Sequence, residues 1–216
     1  MRVIVFGASG GSGRAAVEAL LEEGHEVTAF VRGSPGTVAM HDRVRLAKGD
    51  VLRAEDVMRA VEGHDAVVVA LGIRESALAV RLRGPVATAS DVRSVGTKHV
   101  IAAMRAHGVR RLVVQTTFGV GESRERLPFA WRCIFALLLA PQIADTELQE
   151  VVVRESGLAW VLVQPVGLHD GAPKAPRLSV EGETVSMSVS RRSVGRALAA
   201  AVTRPELVHR SVAVSE

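Results

Sequence analysis

A short apolar run over residues 2–6 feeds straight into Gly7-Ala8-Ser9-Gly10-Gly11-Ser12-Gly13, and an amphipathic stretch follows without a break. Few folds accommodate that order. The run lacks polar alternation, as expected of a strand buried on both faces. Residues 11–23 place Ala15, Ala16, Ala19 and Leu20 on one helical stripe and close on Gly24, in the position of a helix C-cap. Each of the three evenly spaced glycines has its own physical reason. Gly7 permits the tight turn, Gly10 lets the backbone approach an anion, and Gly13 lets the helix pack close to the strand. The first helical amides then face whatever sits over the turn, and Ser9 and Ser12 can add hydroxyl donors.

The same alternation continues along the chain. Strands are expected at 27–31, 44–47, 66–70, 111–115, 159–164 (broken by Pro165) and 208–214. Helices are expected at 54–61, 86–107 closed by Gly108, 129–139, 143–156 ending at Gly157, and 191–202. A hairpin-like pair is expected at 177–180 and 184–187. Apolar runs alternating with helical patterns are the signal for βαβ units on a parallel sheet. The expectation is therefore a three-layer α/β Rossmann fold with a doubly wound, mostly parallel sheet. No linker or internal repeat divides residues 1–216, so one domain is expected, with a small substrate lobe from about 118–140 and 166–190.

Composition narrows the partners. The chain is 48% hydrophobic with a net charge of +4, its arginines are dispersed among acidic residues, and it contains no Tyr. Aromatic residues make up only 3%, too few for the stacking platforms that bind single-stranded nucleic acid. The mild basic excess suits an anionic small molecule instead. The most lipid-like stretch, residues 129–140, is interrupted by Arg132 and falls short of the roughly 20 residues of a spanning helix. No secretory leader pattern opens the sequence, so a soluble, cytoplasmic protein is expected. Cys133 is the only cysteine and is read as core packing; the histidines lack ligand spacing, so no metal is expected.

A glycine turn between strand and helix is the context of a dinucleotide pyrophosphate site. The end of the second strand chooses between dinucleotides. An NAD site places Asp or Glu there to hold the ribose 2′-hydroxyl. No acidic residue occurs from Val27 to His41; the strand ends Phe30-Val31-Arg32, and Arg14 stands just inside the first helix. Two guanidiniums suit a 2′-phosphate, which Arg binds bidentately, so NADP(H) is the expected cofactor; the bland alternative is a solvated loop cation at Arg32. Asp50 and Val51 after the third strand, and Ala70, Leu71 and Gly72 after the fourth, sit where such a ligand would pass, though each also reads as an ordinary turn.

These residues resemble the atypical short-chain dehydrogenase/reductases, in the group of biliverdin IXβ/flavin reductases and NmrA-like proteins. The resemblance is carried by residues 5–14, Val31-Arg32, Gly49-Asp50-Val51, Gly96-Thr97 through 106–109, 116–121, 155–160 and Gln164-Pro165. It implies strand order 3-2-1-4-5-6 with the nicotinamide near the ends of strands five and six. It also implies NADPH-dependent reduction of planar conjugated acceptors such as a flavin, quinone or enone. By the same resemblance, Thr116 or Thr117 stands where the family has its hydroxyl, Thr117 being the better match to the active-site group, and Pro165 matches the proline beside the nicotinamide.

One departure is firm. The usual acid of short-chain reductases is a Tyr with a Lys four residues later; this chain has no Tyr, and its lysines are Lys48, Lys98 and Lys174. A Thr hydroxyl can orient an acceptor by hydrogen bonding but is too weak an acid to supply a proton freely. His169 is an alternative donor, since an ordinary His pKa of about 6.5 suits acid work. Phe129, Trp131, Phe135 and Leu137-Leu138-Leu139 could wall an apolar pocket or simply pack on the core or a second subunit. Two functions follow: an NADPH-dependent oxidoreductase acting on a small conjugated acceptor, or a non-catalytic NADP(H) sensor of the NmrA-like kind. Monomer and dimer are both open.

Overall fold

Val3, Ile4, Val5 and Phe6 are all fully buried, and they form the central strand, β1 (Arg2–Phe6), of the computed structural model. The structure describes residues 1–33, 43–73, 84, 88–127, 131 and 140–216. After β1 come α1 (Gly11–Glu22), β2 (Glu26–Val31), β3 (Val44–Lys48), α2 (Ala54–Val61), β4 (Ala66–Val69), α3 (Val92–Ala106), β5 (Arg111–Gln115) and α4 (Ala140–Arg154). The remainder comprises β6 (Ala159–Pro165), β7 (Gly167–His169), β8 (Arg177–Ser179), β9 (Ser188–Ser190), α5 (Arg191–Thr203) and β10 (Arg210–Ser215).

Among the described residues one sheet runs β3-β2-β1-β4-β5-β6-β10-β8. Every neighbouring pair is parallel except β10–β8. The expected order 3-2-1-4-5-6 is thus present, with β10 continuing it. Alternation along β1 divides the core in two. Val3 and Val5 pack with Ala16 and Leu20 of α1 and Val194 and Leu198 of α5. Ile4 and Phe6 pack on the other face with Val57 of α2, Val100 and Met104 of α3 and Val153 of α4. Burying each such side chain contributes about 1.5–3 kcal/mol before chain entropy is counted. Phe6 and Phe30, paired across β1 and β2, bring their rings to 4.7 Å and close the core beneath the cleft described below.

Three expectations change. The pair at 177–180 and 184–187 is not a hairpin: β8 pairs antiparallel with β10 (Leu178↔Val214), while β9 pairs parallel with β7 (Leu168↔Val189). The free edge of β10 supplies the ladder that β8 needs, and β9 is committed to α5, because the Ser190 side chain caps that helix by accepting from Ser193 N. The helix expected from residue 86 begins at Val92 instead. Its start is fixed from α4, where Asp145 accepts from the backbone N–H groups of Arg93 (3.0 Å) and Ser94 (3.1 Å), two of the first-turn donors left without helical partners. The helix expected at 143–156 instead spans Ala140–Arg154. The helix expected at 129–139, Cys133, and the apolar wall of Phe129, Phe135 and Leu137-Leu138-Leu139 lie outside the described residues. Trp131 packs against the core on the α1/α5 side. Among the described residues no helix is long and apolar enough to cross a membrane.

Candidate functional site

The carboxyl ends of β2, β1, β4 and β5 open into a cleft of about 490 Å³. This is the edge of an open α/β sheet at which ligands bind. Its floor is the turn between β1 and α1. Gly7 holds φ +84°, in the left-handed region, and a Cβ there would lie 2.7 Å from the Ala70 carbonyl carbon. A Cβ on Gly13 would lie 2.7 Å from the Gly7 carbonyl carbon. Larger residues would push the turn off β4 or α1 off the turn. The amino end of α1 is left open, since its N-cap, Gly10, has no side-chain cap and its first turn has no acidic residue. Gly10, Gly11 and Ser12 line the cleft, so an anion there meets the positive end of the helix without competition from a carboxylate.

The structure brings Gly7, Ser9, Gly10, Gly11, Ser12, Arg32, Val51, Ala70, Leu71 and Gly72 together in this one cleft. The other expected residues stand off its wall. Gly13 lies behind the turn it shapes. Arg14 is exposed on α1. The Asp50 carboxylate closes a local turn by accepting from Leu52 N (3.0 Å), while its own N–H donates to Asp56. Thr116 is buried, and its hydroxyl donates to Glu150 Oε1 at 2.7 Å. Thr117, half-buried, follows β5, and Pro165 is the last residue of β6. The Phe118 N–H donates to the Pro165 carbonyl at 2.9 Å, tying those two ends together.

Four polar residues on the wall, Thr88, Arg93, Gln115 and Arg191, were not singled out from sequence. Arg191, the first residue of α5, stands over the glycine turn: a Cβ on Gly11 would meet its Nε at 2.9 Å. It pairs with Asp170 at 2.8 Å. Arg93, from the first turn of α3, brings Nη2 beside Gly72 and donates from Nη1 to Thr146 Oγ1 at 3.2 Å. Burial lowers its pKa from the ordinary arginine value, with nearby Asp145 opposing the shift. Gln115 ends β5. Buried polar side chains with unused hydrogen-bonding atoms mark two of these places, since Arg93 Nε and Gln115 Oε1 are buried and unpartnered. No motif flags them, because each reaches the cleft through the packing of a distant element. His169 lies beyond the wall, with Nε2 3.1 Å from Glu216 Oε1.

Helix α4 follows β5, where the usual reductases carry their Tyr and Lys. Here its inward residues Asp145, Thr146, Gln149 and Glu150 are occupied in holding neighbours. Gln149 donates to Thr97 of α3 at 2.9 Å, and Glu150 receives Thr116 and Gln164. No group of three or more His, Cys, Asp or Glu able to hold a metal occurs among the described residues.

The chain resembles the 2-alkyl-3-oxoalkanoate reductase of Stenotrophomonas maltophilia (strain K279a), 29% identical over 174 residues, which is 76% of this chain and 50% of that protein. It spans half or less of the length of the first curated relatives it matches. Two solved structures share the fold along their whole length. The anaerobilin reductase ChuY of Escherichia coli O157:H7 superposes with a TM-score of 0.79 at 21% identity, covering 100% of this chain and 97% of that one. A short-chain dehydrogenase/reductase (wide type) from Veillonella parvula DSM 2008, solved in complex with NADP, gives 0.78 at 19% identity over 100% and 94%. A profile of the family described as NAD(P)H-binding matches residues 7–205, nearly the whole chain. The chain therefore belongs to the NAD(P)H-binding family.

Proposed function

We propose that the protein is an NADP(H)-dependent oxidoreductase that reduces a small conjugated acceptor. One observation carries the reading: the guanidiniums of Arg32 and Arg191 line the cleft together with the glycine turn, and no carboxylate lines it among the described residues. That donor set fits a ligand with more than one phosphate and lacks the acid that would favour a free ribose 2′-hydroxyl. Arg32, just after β2, is assigned to the 2′-phosphate, and the amides of Gly10, Gly11 and Ser12 to the pyrophosphate. The small residues Ala70 and Gly72 let a ligand lie against the β4 end, with Leu71 between them. Bound NADPH supplies a hydride donor.

The chain's own contribution is to position the nicotinamide against the acceptor. The Thr117 hydroxyl is assigned to orienting the acceptor, with Pro165 at the end of β6. With no Tyr in the chain, the proton is drawn from water, which suits a flavin, quinone or enone that accepts hydride directly. The missing Tyr is also the observation that favours the second reading, an NADP(H) sensor without turnover.

Titration of the protein with NADPH and NADH tests the cofactor assignment. Arg32→Ala should weaken NADPH at least ten-fold and leave NADH within about two-fold, since one charge-assisted phosphate contact contributes about 1.5–3 kcal/mol. An unchanged NADPH-to-NADH ratio would refute it. Oxidation of NADPH with a panel of flavins, quinones and enones then separates the enzyme from the sensor: binding without loss of reduced nicotinamide against any of them leaves the sensor.

A further inference from the structure

The cleft has a direction. Strand order sets β2, β1, β4 and β5 side by side, so its polar positions follow in sequence: Arg32 after β2, the glycine turn with Arg191 after β1, Arg93 beside Gly72 after β4, then Gln115 on β5. A dinucleotide of the NADP type is anionic at two places, the 2′-phosphate and the pyrophosphate. Arg32 and the turn with Arg191 account for both. Arg93 is a third cationic position, on the side of the turn away from Arg32.

Its surroundings offset its charge only in part. Asp145, the carboxylate acting on it, directs both oxygens to the backbone amides of Arg93 and Ser94, and no ion pair forms with Arg93 among the described residues. The guanidinium is steadied by Thr146 through Nη1, leaving Nε buried with nothing to donate to. One strand further, Gln115 Oε1 is likewise buried and unpartnered. A buried donor without an acceptor is costly unless a ligand completes it. Here an unsatisfied guanidinium and an unsatisfied amide line the same end of one cleft.

We propose that this end of the cleft is a carboxylate site: Arg93 takes the carboxylate of the acceptor in its planar fork, and Gln115 takes an adjacent polar group of the same molecule. The acceptor is then a small organic acid, such as a carbonyl or conjugated compound bearing a carboxylate, rather than a neutral quinone. The assignment deepens the function proposed above and rests on it for what occupies the other two positions.

Calorimetric titration of the NADP⁺-loaded protein with benzoate and with benzamide, equal in shape and different in charge, tests it. The wild type should bind benzoate at least ten-fold tighter than benzamide. Arg93→Gln should abolish that preference while NADPH affinity stays within about two-fold. Arg93→Lys, which keeps the charge and loses the fork, should retain part of the preference and covers the case in which the glutamine variant does not fold. Equal binding of the two probes by the wild type overturns the proposal. So does a ten-fold loss of NADPH affinity in Arg93→Gln, which would assign the guanidinium to a dinucleotide phosphate. Failure of the wild type to bind NADPH at all would sink the functional reading instead. The benzoate and benzamide titrations of the free protein would then still decide whether Arg93 reads a carboxylate.

Discussion

Glu150 lies on α4 with 3% of its surface exposed. Its Oε1 accepts from Thr116 (2.7 Å) and Gln164 (2.8 Å), while Oε2 is buried without a hydrogen bond and stands 3.6 Å from Arg154. Burial raises this carboxyl above its ordinary value of 4.5; the hydrogen bonds from Gln164 and Thr116 and the charge of Arg154 only partly oppose it. A carboxyl whose folded pKa is raised favours the fold when protonated. That contribution is complete below about pH 4.5 and is lost as pH rises through the folded value. Glu150→Gln keeps an oxygen for Thr116 and Gln164 and removes the buried charge. Its unfolding free energy at pH 7 should therefore equal or exceed the wild type's by up to about 1 kcal/mol. Its stability should also depend less on pH between about 4.5 and 7 in thermal melts. A loss above about 1 kcal/mol would mean that Arg154 needs the charge. By spacing alone Glu150 stands one helical turn from Arg154, and nothing in the sequence marks it as buried. Its burial depends on β5 and β6 arriving over it, which no spacing within 140–154 encodes. The glycine turn was readable for the opposite reason, because all its determinants lie within seven consecutive residues.

Helices α1 and α5 approach too closely for a side chain at position 195. Gly195 of α5 faces Ala15 of α1, and a Cβ on Gly195 would lie 2.6 Å from the Ala15 Cβ, with the Ala15 backbone equally near. Two effects of Gly195→Ala compete. Helix propensity favours Ala in a helix interior by about 1 kcal/mol, whereas forcing a methyl into a full contact costs about 1–3 kcal/mol. Backbone atoms cannot rotate away, so the clash should win. A net loss of up to about 2 kcal/mol in urea unfolding is expected, with weaker NADPH binding, because α1 carries the glycine turn and α5 carries Arg191. A gain in stability would show that the helices part freely. Elements bounded by local signals read true from sequence: β1, α2 and β5 begin and end at the expected residues. Elements defined by a remote partner did not. Residues 177–190 alternate like a hairpin, yet the ladder for β8 comes from β10 and that for β9 from β7. The start of α3 is set by Asp145, more than fifty residues away.

Across the whole molecule, the far edge of the sheet is fastened to the cleft through one side chain. Glu216, just beyond β10, has a side chain only 3% exposed. Its Oε1 accepts from Ser190 N at 2.8 Å and lies 3.1 Å from His169 Nε2; its Oε2 accepts from Ser193 Oγ at 2.6 Å and from Lys174 N at 3.2 Å. These contacts gather β7, the following loop and the amino end of α5. The same segments bear Leu168 and Arg191, which line the cleft, and Asp170, which pairs with Arg191. Burial alone would raise the Glu216 carboxyl, but the hydrogen bonds from Ser193, Ser190 and Lys174 outweigh it and hold the group below its ordinary value of 4.5. A depressed carboxyl stabilises the fold above its ordinary pKa, and that contribution fades as pH falls through the folded value. Glu216→Ala should therefore melt several degrees below the wild type at pH 7, and the gap should close as the pH is lowered beneath about 4.5. NADPH affinity should fall in the same variant, because Arg191 loses the frame that keeps it over the glycine turn. A melting difference that stays constant from pH 7 to pH 3 would show that Glu216 acts by packing alone. An unchanged NADPH affinity would show that Arg191 is held by Asp170 without help from the sheet edge.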